Sequence, residues 1–199
     1  MLEINQITKS FNHSTVLDGV SLTVRSGQLV HIAGANGSGK STLFKIITGL
    51  LDPDAGTVSI DDDDYIGALI ENPGFLEFET GMNNLKFLAD LNHNFDKKSV
   101  IELMHQFQLD PDNHQAVSKY SVGMRQKLGI IQAVMENQNI ILLDEPTRGL
   151  DQNSINQFIK LVNNLVRQQS SVIVASHDNV DGIQYNRRLS LLDGRLVDE

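Results

Sequence analysis

Gly34-Ala35-Asn36-Gly37-Ser38-Gly39-Lys40-Ser41 fits the pattern G-x-x-x-x-G-K-[ST]. It lies between an apolar strand-like run, Leu29 to Ala33, and a helix-like run, Leu43 to Ile47. In that setting the glycines let successive backbone N–H groups curl around anionic oxygens. Lys40 adds a point charge toward β- and γ-phosphates, and the Ser41 hydroxyl can ligate Mg²⁺. The motif therefore implies a bound nucleoside triphosphate. Further along, Ile140-Ile141-Leu142-Leu143 leads into Asp144-Glu145-Pro146. A carboxylate at the end of a buried strand, Asp144, can position Mg²⁺ through coordinated water. Glu145 is a reasonable general base for an attacking water, because phosphoryl transfer needs positioning and charge neutralisation more than covalent chemistry. Pro146 then stops the strand from continuing.

A third element stands just upstream of that strand. Tyr120-Ser121-Val122-Gly123-Met124-Arg125-Gln126 heads a helix, and Ser121 can cap it. The free N–H groups of such a helix end make a second anion site.

With Asp144-Glu145-Pro146-Thr147-Arg148-Gly149-Leu150-Asp151 and Ser176-His177-Asp178 added, the chain resembles the ATP-binding-cassette (ABC) ATPases from Ile4 to Gly194. Gly34 to Ser41 stands where that family has its Walker A, Tyr120 to Gln126 its signature, Asp144 to Asp151 its Walker B and D-loop, and His177 its switch histidine. The resemblance implies ATP held by Gly34, Asn36, Gly37, Ser38, Gly39, Lys40, Ser41 and Thr42, with Phe11 stacked on adenine. It implies catalysis by Glu145, His177 and Lys40, and Mg²⁺ held by Ser41, Asp144 and Glu71. It also implies a dimer, of this chain with itself or with a related ATPase subunit. Ser121 and Gly123 would then cap ATP bound to the other copy, and Asp151 would lie at the seam. Separate membrane-spanning transporter subunits complete the expected assembly, placing the chain in the cytoplasm on the inner face of the membrane.

Three positions depart from the family pattern. Glu71 stands where Gln is usual, adding negative charge near Asp144 and Glu145 that a metal must offset. Val122 replaces the first signature glycine, keeping its N–H but preventing the closest backbone approach. Met124 replaces a polar residue. The segment Glu71-Asn72-Pro73-Gly74-Phe75 and the Tyr-Ser-x-Gly-Met form of the signature resemble ATPase subunits of lantibiotic- and bacitracin-type export and immunity systems. Export of a peptide antibiotic or drug is the expectation that follows. A soluble ABC protein of DNA repair, ribosome association or cluster assembly is the alternative, and a nucleotide kinase would leave Ser121 and His177 unused.

The elements that must position these groups are legible from periodicity. Strand-like runs cover Leu2 to Thr8, Thr15 to Leu17, Val20 to Val24, Gln28 to Ala33, Gly56 to Ile60 and Tyr65 to Ile70, broken by turn residues such as Asp18-Gly19. Asp61-Asp62-Asp63-Asp64 reads as a solvated hairpin turn, since four adjacent carboxylates cannot converge on one ion. From about Thr80 the period becomes helical. Thr80 is expected to cap a helix with Met82, Leu85, Leu88 and Ala89 inward, and Asp96 a second with Val100, Leu103 and Met104 inward. A third helix is expected from Val122 to Met135. Buried strands follow at Ile140 to Leu143 and Ser171 to Val174, joined by a helix from Gln152 to Arg167.

This alternation implies an α/β fold: a P-loop NTPase (RecA-like) core sheet, an N-terminal antiparallel β subdomain and an inserted α-helical subdomain. The expected single domain has a catalytic lobe over about 1–76 and 137–199 and a helical lobe over about 77–136. The groove near Phe75, Leu76 and Phe78 is expected to be an exposed apolar docking site. With 199 residues and no cysteine, the chain can build a large core but no disulfide, which suits a reducing cytoplasm. No run reaches the ~18 apolar residues of a membrane span, and no signal peptide is visible. A net charge of −9 argues against a nucleic-acid partner.

Overall fold

The computed structural model describes residues 1–199, with its strands in two sheets. A three-stranded antiparallel sheet has the order β2-β1-β4, from β1 (Leu2–Phe11), β2 (Ser14–Val24) and β4 (Ala55–Ile60). The six-stranded sheet contains β3 (Leu29–Ala33), β5 (Ile66–Leu69), β6 (Ile140–Asp144), β7 (Ser171–Ser176), β8 (Arg187–Leu192) and β9 (Arg195–Asp198). Its order is β5-β6-β7-β3-β8-β9, parallel except for the β8–β9 edge hairpin. Strands β6 and β7 are buried along their whole length, as expected where a parallel sheet is covered on both faces.

Alternation divides those strands between two cores. Val30, Ile32, Leu142 and Ile173 face α1 (Lys40–Ile47) and the antiparallel sheet, meeting Phe44, Leu2 and Ile7. Leu29, Ile141, Leu143, Val172 and Val174 face the other way. There they meet Phe158 and Val162 of α5 (Gln152–Arg167) and the helices α2 (Gly81–Leu91), α3 (Lys97–Gln106) and α4 (Val122–Val134). The α4 helix lies very close to β5. A Cβ on Gly67 would fall 1.8 Å from the Ala133 carbonyl oxygen, so only glycine fits there.

The expected caps form. Thr80 accepts from the Asn83 amide at 3.2 Å, Asp96 from Lys98 and Ser99 at 3.0 and 3.3 Å, and Ser121 from Met124 at 3.1 Å. The aspartate run Asp61–Asp64 is a turn closed by the Asp64 amide on the Asp61 carbonyl at 2.9 Å, with its first three residues exposed.

Two expectations change, and one element is new. Asp18-Gly19 does not end a strand: β2 continues through it, with Gly19 at φ 66° and irregular register against β1. Glycine absorbs the irregularity that the sequence presents as a turn signal. The β8–β9 hairpin was not foreseen, although Asp193-Gly194, at φ 48° and 78°, is a strong two-residue hairpin signal. Phe75 is buried in the core beside Leu85 and Leu128, whereas Leu76 and Phe78 are exposed, Phe78 at 94%. Phe75 therefore cannot line an exposed docking groove.

Candidate functional site

Three adjacent parallel strands end together. Ala33 of β3 pairs with Ser176 of β7, and Asp144 of β6 pairs with Ala175 of β7. The glycine loop, Asp144-Glu145 and Ser176-His177 thus leave the same carboxyl edge of the sheet, the usual place for a ligand in such folds. A cleft of ≈ 810 Å³ opens there. Phe11, Val16, Asn36, Gly37, Gly39, Lys40, Ser41, Thr42, Glu71, Asp144 and Glu145 line it. Val122, Arg125, Gln126 and Arg148 line it as well, none of which the sequence reading placed at this site.

The loop has the geometry that anion binding needs. Gly37 sits at φ 82° with open space around it, and Gly39 at φ 108°. Helix α1 starts at Lys40 with no side chain on its first amides, so those donors face the cleft unpaired. Lys40 is buried, and its Nζ donates to the loop's own Gly34 and Ala35 carbonyls at 2.6 and 3.1 Å. Gly34 and Ser38 form the underside: a Cβ on Gly34 would meet Ser38 Oγ at 2.6 Å. Phe11 is half-exposed at the end of β1, available for stacking at the cleft mouth.

Asp144 is buried, and the Ser41 hydroxyl donates to its Oδ2 at 2.5 Å. Burial pushes its carboxyl above the ordinary range; the Ser41 hydroxyl, the Glu71 amide and the Lys40 charge oppose that rise, and the Glu71 charge adds to it. Glu145 adopts a left-handed φ of 46°. For a non-glycine residue this costs of order 1–3 kcal/mol and tends to mark functional sites. Its amide donates to Ala175 O at 2.8 Å, and its carbonyl accepts from Gln126 Nε2 at 2.9 Å and from the Arg148 amide at 3.1 Å. Strand alternation alone would send Glu145 to the face opposite Asp144. The left-handed turn puts both carboxylates in one cleft instead. Glu145 Oε1 lies 4.0 Å from Lys40 Nζ and is buried without a hydrogen-bond partner.

This donor set fits Mg²⁺. A hydroxyl and a buried carboxylate already touch, and one carboxylate oxygen nearby is unpartnered. No three acidic or histidine side chains gather closely enough to cage a metal alone. Mg²⁺ suits such a half-built site, because it keeps waters and takes substrate phosphates with only one or two protein carboxylates. Glu71 also sits at a left-handed φ, 53°, and its carboxylate is engaged by Lys45, whose Nζ donates to it at 2.7 Å.

The tip of α4 is built against the loop after β6. A Cβ on Gly123 would fall 2.5 Å from the Gly149 carbonyl oxygen, so this glycine serves a contact within the chain. Val122 packs on Gly149 and is otherwise exposed. Lys127 pairs with Asp151 at 3.4 Å, and Asp151 also caps α5 through the Ser154 amide at 2.8 Å. Arg125 makes a two-pronged pair with Glu77 at 2.8 and 2.5 Å. Ser121, Gly123 and Asp151 do not line this chain's own cleft. Neither does His177, which is exposed with Nδ1 3.2 Å from Asp178 Oδ1.

Comparison with known proteins decides the family. The family model described as ABC transporter matches residues 17–148. The chain belongs to the ABC transporter ATPase family. Curated relatives of this ABC chain include the uncharacterised ABC transporter ATP-binding protein YybJ of Bacillus subtilis, 31% identical over 98% of the chain and 94% of that protein. The bacitracin transport ATP-binding protein BcrA of Enterococcus faecalis is 32% identical over 89% of the chain. The chain spans only 61% of BcrA's length and 61% of that of YdbJ from Bacillus subtilis, to which it is 34% identical. Among solved structures, the dimeric bacterial ABC transporter cassette MJ0796 superposes with a TM-score of 0.88 at 27% identity, covering 98% of this chain and 96% of that one. A further MJ0796 dimer is bound to ADP and Pi, in a post-hydrolysis state.

Proposed function

We propose that the chain is the ATP-hydrolysing subunit of an ABC transporter that exports a peptide antibiotic or drug through separate membrane-spanning subunits. The observation that carries this reading is the Ser41–Asp144 contact of 2.5 Å, set beside Lys40 and the unpartnered oxygen of Glu145. Lys40 turns from the Gly34 and Ala35 carbonyls to the β- and γ-phosphates, while the loop amides hold the remaining oxygens. Ser41 and Asp144 hold Mg²⁺, which when bound offsets the charge of phosphates and carboxylates together. Glu145 accepts the proton of the attacking water. His177 reaches the γ-phosphate by rotating away from Asp178. Glu71 joins the metal's surroundings only by leaving Lys45.

Two copies complete each site, as a homodimer or with a related ATPase subunit: Ser121 and Gly123 of one cap ATP on the loop of the other, with Asp151 at the seam. The dimeric MJ0796 cassettes support that arrangement. Relatives named for bacitracin and lantibiotic transport support the cargo class. No helix of the chain is long and apolar enough to cross a membrane. Membership of the ABC transporter family supports a path on membrane partners, with the chain on their cytoplasmic face. The helical segment, about 77–136, moves against the rest and carries the motion outward. Leu76 and Phe78 are the docking residues, because a phenylalanine 94% exposed, five positions after the Pro73 that lines the ATP cleft, invites cover. A photo-crosslinker at Phe78 in native membranes should capture a multi-spanning membrane protein; capture of soluble proteins alone, with the chain absent from membranes, would refute the transport reading.

A further inference from the structure

Among the buried polar groups that this chemistry leaves unused, one sits on the strand that feeds the phosphate loop. His31 lies mid-strand in β3, 1% exposed, on the sheet face shared with α5, packed against Tyr185 with ring centroids 4.8 Å apart and the planes tilted by 33°. Its Nε2 is 2.9 Å from the Ser176 Oγ. The Ser176 hydroxyl in turn donates to the Asp178 carbonyl at 2.6 Å. A carbonyl only accepts, so the single hydroxyl proton of Ser176 is committed to Asp178. Ser176 must then accept from His31, which fixes the ring as the Nε2–H tautomer. His31 Nδ1 is left as a bare acceptor, and it is indeed buried without a partner.

We propose that His31 is a positioning residue for His177, acting through Ser176. The hydrogen-bond chain grips the residue before His177 and the residue after it, and ties both to the central strand that feeds the phosphate loop. The backbone of His177 is thereby fixed, and its side chain moves from Asp178 toward the γ-phosphate by rotation about its own bonds. A buried histidine with one unsatisfied nitrogen is costly in a sheet core, where an aliphatic residue would pack without that penalty. The donor to Ser176 is what that cost sustains. This inference rests on the reading that His177 serves the γ-phosphate.

The test compares two near-isosteric variants in the full chain. His31→Gln keeps a donor where Nε2 stands; His31→Leu keeps bulk and loses it. We expect His31→Leu to lower kcat for Mg²⁺-ATP about tenfold with KM within about twofold, and His31→Gln to restore kcat to within about threefold of wild type. Equal kcat in the two variants, or a change confined to KM, overturns the proposal. ¹⁵N NMR of the wild-type ring, which needs no variant to fold, should show the Nε2–H tautomer; Nδ1–H overturns it. His177→Ala separates the underlying reading: full turnover there sinks the role of His177, while the tautomer still reports on the His31–Ser176 bond.

Discussion

Gly123→Ala tests how the α4 tip is held. The added Cβ would stand 2.5 Å from the Gly149 carbonyl oxygen and 3.5 Å from its carbon. An ordinary carbon–oxygen contact needs roughly 3.3 Å, so tip and loop must separate by about 0.8 Å. Overpacking of this kind costs about 1–3 kcal/mol, and a surface loop that can yield puts the cost near the lower end. For a chain of this length that lowers Tm by about 2–4 °C. The functional cost is expected to be larger. Gly149 leads into Asp151, which caps α5 and pairs with Lys127, so the displaced loop carries the proposed seam with it. Steady-state ATPase measured against protein concentration should fall at least tenfold, with the loss concentrated in dimer formation. Gly74→Ala is the control, since nothing lies within 4 Å of its added Cβ. Gly123→Ala with the Tm and turnover of that control would refute the argument.

Asp144→Asn links the acid's burial to pH. Its carboxyl is raised by burial, so the stability tied to the protonated form is present at low pH and lost as pH rises through the folded-state value. The nucleotide-free variant should melt above wild type at neutral pH, with the gap closing on acidification, and should lose most stabilisation by Mg²⁺-ATP; a gap that widens in acid contradicts this. Lys45→Met frees the Glu71 carboxylate. An exposed pair is worth under about 1 kcal/mol, so the Mg²⁺ concentration for half-maximal turnover should drop no more than about fivefold, and Lys45→Met with Glu71→Gln should reverse the drop. An unmoved Mg²⁺ profile in both removes Glu71 from the metal's surroundings.

Groups whose role depends on local spacing were legible in the sequence. The glycine loop, the Asp144-Glu145 strand exit and the caps at Thr80, Asp96 and Ser121 each follow from a few neighbouring residues, and the structure forms them. Close approach was not legible. Gly67 and Gly123 are required by the carbonyls of Ala133 and Gly149, which lie 66 and 26 positions away along the chain. The Lys45–Glu71 pair, the Gln126 bond to Glu145 and the His31–Ser176 bond likewise join residues that only the sheet order brings together. Apolar character also misled in one place: Phe75 and Phe78 look alike in sequence, yet one is core and the other solvent-facing, because Phe78 sits in a turn closed by the Glu79 amide on the Leu76 carbonyl.

Sharing of the nucleotide between two copies is the central claim about this ATPase. The chain has no cysteine, so Ser121→Cys and Asn36→Cys can be placed in Glu145→Gln, which should retain ATP while losing about 10²-fold or more of turnover. With copper–phenanthroline as the oxidant, Mg²⁺-ATP should then promote a disulfide between Ser121→Cys of one copy and Asn36→Cys of the other, at twice the chain mass by light scattering. A monomer at saturating ATP, or a disulfide formed equally well without nucleotide, would contradict it.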